Sequence, residues 1–264
     1  MKPMSAVSRA LVSAASGLMV ANGAVADAAD DYNVFKSTIG AGAVEVTWDG
    51  FVGLGPSPDF DPFVRYTAEQ IGPSLPVVLD GGSSYAVSAV NFGFPGEFSA
   101  FSSSNTFAPI GRSSFTLTFA GGLGVTAFGV MFSDVEKVNT TYVRGFDASG
   151  NELTTGFAPL GPNTQTGTSG SNSGFSFASI VSPTPIHKVE INLGNCWVTG
   201  AYGFQSAGNT GCPRVIFGGA YVYDGVVMDN MVFSTPVPEP AALSLAALGL
   251  GVVGAATRRR RVLA

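Results

Sequence analysis

Apolar and polar side chains alternate every second residue in several short segments of this chain, a rhythm that lets a strand, but not a helix, bury one face. Ala43–Trp48 sets Val44, Val46 and Trp48 on one side. Ser113–Phe119 does the same with Phe115, Leu117 and Phe119, and His187–Leu193 with Val189, Ile191 and Leu193. Val125–Phe132 is almost wholly apolar, as a central strand covered on both faces would be. Thr140–Phe146, Gly174–Val181 and Val226–Phe233 complete a predicted set of eight or more strands. Turn residues punctuate them: Asp147-Ala148-Ser149-Gly150-Asn151 closes a hairpin, and Gly121-Gly122 and Gly218-Gly219 do similar work. Gly53–Pro62, Gly161–Ser173 and Gly200–Gly211 read as long loops, and no amphipathic helix or internal repeat is read between the two ends. The expected fold class is all-β, a β-sandwich of jelly-roll type. The alternative is an immunoglobulin-like sandwich, whose cysteine pair would be spaced much more widely.

Both ends read as addresses. Lys2 and Arg9 precede an apolar run from Ala10 to Val20, and Ala24-Val25-Ala26 offers the small residues that a signal peptidase reads. The predicted cut follows Ala26, so residues 1–26 are a signal peptide, 27–236 the body and 237–264 a tail. In the tail, Val237-Pro238-Glu239-Pro240 leads into Ala241–Ala256, 16 residues without a charge, and then into Arg258-Arg259-Arg260-Arg261. As a helix the run reaches about 25 Å, the lower limit for a single transmembrane span. Four arginines are costly to translocate, so they stay on the cytoplasmic side and leave the body outside.

The body holds 7 Lys and Arg against 17 Asp and Glu, a net charge of −10. Such a surface repels phosphate backbones, which argues against a nucleic-acid partner. Cys196 and Cys212, 16 positions apart in an exported chain, predict a disulfide. In the chain-entropy account a bridge of that span contributes about 3 kcal/mol.

The order of parts in Val237–Arg261 strongly resembles the PEP-CTERM sorting domain of exopolysaccharide-producing Gram-negative bacteria. That resemblance implies a further partner, exosortase, a membrane-embedded cysteine protease that would read Pro238, Glu239 and Pro240. It also makes Ala241–Ala256 a temporary anchor and Arg258, Arg259, Arg260 and Arg261 the stop-transfer block. Phe98–Ser102, Phe128–Val135, Phe146–Asn151 and Asp224–Phe233, in this order, resemble the body of PEP-CTERM surface proteins. The Val-x-x-Asp-Asn close at Val226–Asn230 is similar to the last strand of lectin-like, carbohydrate-binding jelly rolls.

Catalytic residues are not found. His187, the only histidine, is read as an exposed strand residue on the face opposite Val189 and Ile191. There is no G-x-S-x-G, H-E-x-x-H or Walker loop. Two carboxylates suffice for glycoside hydrolysis, but nothing marks out a pair. Calcium, as a structural cofactor, would draw on Asp229 and Asn230 in the last strand, Glu45 in the first and Asp224 nearby, because first and last strands lie side by side in jelly rolls. Turn or edge roles for the same residues are the alternative. Trp48 is assigned to the core, while Trp197 and Tyr202 are the candidate exposed rings for sugar stacking. The expectation is an exported, non-enzymatic, polysaccharide-associated module, anchored in the inner membrane as a precursor and then sent to the cell surface or extracellular matrix. A purely structural or adhesion matrix protein and a glycan-active enzyme are the alternatives.

Overall fold

The computed structural model describes residues 28–51, 64–72, 75–81, 83–88, 101, 105–135, 137–160, 174–198, 216–217, 220–221 and 225–236. Within them the strands are β1 (Val44–Val46), β2 (Val64–Thr67), β3 (Val77–Leu79), β4 (Ser84–Ser88), β5 (Thr106–Pro109), β6 (Ser114–Phe119) and β7 (Val125–Ser133). They continue with β8 (Tyr142–Phe146), β9 (Glu152–Phe157), β10 (Phe175–Ile186), β11 (Lys188–Asn192), β12 (Ile216–Phe217), β13 (Ala220–Tyr221) and β14 (Val227–Phe233). A seven-stranded sheet runs β10-β7-β14-β5-β4-β2, with β1 also on β14, and a five-stranded sheet runs β3-β6-β11-β8-β9. All the strand pairs are antiparallel, and β12 pairs only with β13. The protein is therefore mostly β-sheet, two antiparallel sheets enclosing one core, as the alternation implied.

The core forms where the apolar phases of the two sheets meet. Phe115, Leu117, Phe119, Val143, Val189 and Ile191 come from the five-stranded sheet, and Tyr85, Phe107, Phe128, Phe132 and Phe233 from the seven-stranded one. Rings meet across the gap: Phe119 lies 5.1 Å from Phe233 and Phe107 5.6 Å from Phe115. Burial of each such side chain contributes roughly 1.5–3 kcal/mol. In β7 the alternation vanishes because both faces are covered, the inner one by this core and the outer one by a helix. The β10 ladder breaks between Val181 and Ile186, where Pro183 and Pro185 have no N–H to give to β7.

Two helices correct the expectation that the body has none. Helix α1 (Ala28–Ile39) carries Asp30 and Asp31 in its first turn and Lys36 in its last, in agreement with the helix dipole. Its Ala28, Tyr32, Phe35 and Ile39 recur at helical spacing and pack on Met131, Phe177 and Val232 of the seven-stranded sheet. Gly129 of β7 lets the helix approach, since a Cβ there would lie 2.5 Å from Phe177 Cζ and 3.1 Å from Phe35 Cε1. Helix α2 (Ala68–Ile71) is a single turn closed by a capping box between Thr67 and Gln70. Both signals were present in the sequence, but in stretches too short to outweigh the strand pattern.

The predicted hairpin joins β8 to β9. The Asp147 carboxylate accepts from the backbone N–H of Ser149 and Asn151 and from the Asn151 amide, and Gly150 takes φ +84°. Gly121 and Gly122 turn β6 into β7 with φ of +77° and +69°. The signal segment, the three long loops, Gly218-Gly219 and the whole tail with its expected span lie outside the described residues. Among the described residues no helix is long and apolar enough to cross a membrane.

Candidate functional site

The two sheets differ in what their outer faces carry. That of the seven-stranded sheet is covered in part by α1. Along β8, β9 and β11 of the five-stranded sheet, the residues out of phase with the core form an open polar and aromatic surface. Strand register sets its rows: Ser114, Asn192, Tyr142 and Phe157; then Thr116, Glu190, Arg144 and Thr155; then Thr118, Lys188, Phe146 and Glu152. Phe157 is 50% exposed and meets Tyr142 edge-on at 5.9 Å. The Arg144 guanidinium lies 4.9 Å from the Tyr142 ring centroid, and Lys188 Nζ 4.3 Å from that of Phe146. Arg144 also sits between two carboxylates, 3.5 Å from Glu152 Oε2 and 3.9 Å from Glu190 Oε1. Tyr142 donates to Glu190 at 2.8 Å, and burial followed by this carboxylate raises its phenol pKa. Rings, hydroxyls and charges on one flat face suit a ligand with both apolar and hydroxyl-bearing sides. Sequence reading passed over these residues because it followed the buried phase of β8 and β11. Their signal is the opposite phase, Tyr142-x-Arg144-x-Phe146 and Lys188-x-Glu190-x-Asn192.

Two of the residues weighed for calcium, Glu45 and Asn230, do meet. Strand β1 pairs with β14, setting Glu45 opposite Val232, and Asn230 Nδ2 donates to Glu45 Oε1 at 3.0 Å. Lys36 and Tyr32 of α1 donate to the same carboxylate. Burial alone would raise the Glu45 pKa, but Lys36, Tyr32 and Asn230 together hold it below the ordinary range. Asp229 and Asn230 form a bulge, two residues set against the single Met131 between the Met228–Phe132 and Met231–Val130 pairs. Asp229 is fully buried and accepts from the Phe101 N–H. Two proton donors from α1 and an amide NH₂ thus occupy Glu45, where calcium would require oxygens. Among the described residues no three His, Cys, Asp or Glu side chains group to hold a metal. Asp224 lies outside the described residues.

Trp48 is core, as expected: it is fully buried, stacks on Phe107 at 3.9 Å and donates to the Asp229 carbonyl at 2.6 Å. Trp197 is half-buried, and Tyr202 lies outside the described residues. Cys196 is 1% exposed and not a free thiol, while Cys212 lies outside the described residues. The reading of His187 is corrected. It occupies the junction between β10 and β11, half-buried, and its N–H donates to the Phe146 carbonyl. Two positions from Val189, it shares that residue's phase, and its ring fills the space where a Cβ on Gly124 would go.

The class this defines is an antiparallel β-sandwich whose five-stranded sheet carries a polar and aromatic outer face. The tail makes the assignment more specific: residues 236–261 match the PEP-CTERM protein-sorting motif, which marks an exported protein sorted to the cell surface. No curated protein matches the chain. Among solved structures, it is similar to the enzymatically active domain of bacteriophage CBA120 tailspike protein 4, with TM-score 0.29 and 12% identity over 67% of this chain and 20% of that one. A GH87 α-1,3-glucanase catalytic domain in complex with nigerose gives TM-score 0.29 and 12% identity over 68% of this chain and 30% of that one. A family 6 carbohydrate-binding module gives TM-score 0.27 and 16% identity over 66% and 95%. The chain thus spans under a third of the two enzymes. At these scores the resemblances carry no functional argument.

Proposed function

We infer that this is an exported, non-enzymatic module of the cell surface or extracellular matrix that associates with polysaccharide through the outer face of its five-stranded sheet. The body is a jelly-roll sandwich, delivered by the signal peptide at residues 1–26 and freed of it by signal peptidase. Ala241–Ala256 holds the precursor in the inner membrane, with Arg258–Arg261 on the cytoplasmic side, until exosortase acts at Pro238-Glu239-Pro240. The sorting motif carries the reading of destination. The exposed Phe157, with Tyr142 and Phe146 on the same face, supports the reading of ligand.

Replacing Pro238, Glu239 and Pro240 with alanine is expected to leave the protein exported but retained with the membrane fraction. Release as efficient as that of the unaltered chain would refute exosortase sorting through this motif. A structural matrix protein without a ligand site is the second reading. It predicts that the secreted protein shows no affinity for the producing organism's own polysaccharide.

A further inference from the structure

The outer face of the five-stranded sheet carries two of the seven basic residues between positions 27 and 236, Arg144 and Lys188, and each already faces a partner. Arg144 is shared by Glu152 and Glu190, and Lys188 covers Phe146. Two cations and two carboxylates cancel, while the body as a whole is at −10. An anionic polymer gains no net attraction from such a face and meets repulsion from the surface around it. One ring differs: Phe157 is half-exposed at the end of its row, and among the described residues the cations lie over Tyr142 and Phe146 instead. Thr155, two residues along the same face, donates to Glu152 Oε1 at 2.8 Å, and Arg144 lies 3.5 Å from Glu152 Oε2, so the Thr155 oxygen and the remaining carboxylate lone pairs are acceptors. Residues two apart on a strand are separated by about 7 Å, so Phe157 and Thr155 can touch one ligand.

We propose that this face takes a neutral, hydroxyl-rich glycan, one sugar ring stacked on Phe157 with its hydroxyls turned toward Thr155 and Glu152. The proposal rests on the polysaccharide-binding reading and adds to it the charge class of the ligand and the ring that holds it. Stacking suits Phe157 because the C–H side of a pyranose is apolar, and the Glu152–Thr155 pair can accept from hydroxyls that an apolar surface would leave unpaired.

Affinity electrophoresis of the secreted protein tests this, through gels containing neutral polymers (mixed-linkage β-glucan, galactomannan, pullulan) or anionic ones (alginate, polygalacturonate). Retardation is expected in at least one neutral gel and in neither anionic gel. Phe157→Ala should weaken it by about tenfold, while Phe157→Tyr keeps it. Phe157→Tyr should unfold at the unaltered temperature, and Phe157→Ala, which loses the edge contact with Tyr142, should still be fully folded at the temperature of the assay, which separates lost binding from lost folding. Retardation by the anionic polymers alone overturns the charge class and leaves the polysaccharide reading intact. Neutral binding that survives Phe157→Ala overturns the assignment of the ring, and Tyr142→Ala and Phe146→Ala then decide whether the face binds at all. No retardation in any gel overturns both readings together.

Discussion

Trp48 and Asp229, 181 positions apart in the chain, show how one residue's chemistry repairs another's geometry. The bulge at Asp229-Asn230 breaks the β14–β7 ladder, and a backbone carbonyl removed from its ladder inside the core needs another donor. The Trp48 indole N–H supplies it at 2.6 Å while the ring stacks on Phe107. Trp48→Phe keeps most of the apolar volume and removes the donor. It should destabilise the protein by about 1–3 kcal/mol, read as a lower denaturant midpoint with an unchanged m-value. A smaller loss than Trp48→Ala is expected, because the alanine variant adds a cavity. Asp80 shows the same economy: it takes a bidentate pair from Arg112, at 2.6 and 3.0 Å, and the hydroxyl of buried Tyr85.

At the scale of elements, α1 is held to the seven-stranded sheet by a ring cluster and by a polar knot. Tyr32, Phe35, Phe101 and Phe177 supply the rings, with centroids 5.2–5.6 Å apart. Lys36, Tyr32 and Asn230 converge on Glu45. The Glu45 and Asp80 pKa values are both held below the ordinary range, about 4 for a carboxyl group. Each therefore contributes stability that is fully present above the unfolded-state pKa and is lost as pH falls through the lower folded one. Thermal unfolding followed from pH 6 to pH 2 should show this loss, and Glu45→Gln should make the decline shallower. Tyr32 and Tyr85 shift the opposite way, raised first by burial and then by Glu45 and Asp80, so their share disappears only as pH climbs past the tyrosine range. With donors already around Glu45, excess calcium and chelator should give the same unfolding temperature. A rise in calcium that Glu45→Ala abolishes would show the ion displacing Lys36.

For the whole molecule, the segment after β11 joins the two sheets. Val198 forms a parallel bridge with Ile110, just beyond β5, and Gly111 N–H donates to the Val198 carbonyl at 2.7 Å. Cys196 enters this seam buried, so a bridge to Cys212 would tie the intervening chain to a place already fixed to both sheets. Non-reducing mass spectrometry of the secreted protein should find Cys196 and Cys212 in a single linked peptide, and two alkylatable thiols would refute the pairing. Reduction should raise hydrogen exchange in residues 197–211 more than in the strands, whose alternating apolar residues keep the core without the bridge.

Much of this protein was determined locally. Alternation in Ser113–Phe119 and His187–Leu193 identified strands and, His187 apart, their buried sides, since a period of two has one way to hide its apolar phase. The tail was legible because charge, length and the Pro-Glu-Pro order act along the chain without folding. Two things were decided only in three dimensions. Helix α1 depends on a sheet that offers Gly129 as a hollow, and four spaced apolar residues in a 12-residue helix mean little until that surface exists. The candidate face depends on register: Phe157, Tyr142, Arg144 and Glu190 come from three strands, and cross-strand pairing alone puts them side by side. A single strand's sequence states which residues share its face, but its neighbours come from distant parts of the chain, and only the packed sheet selects them.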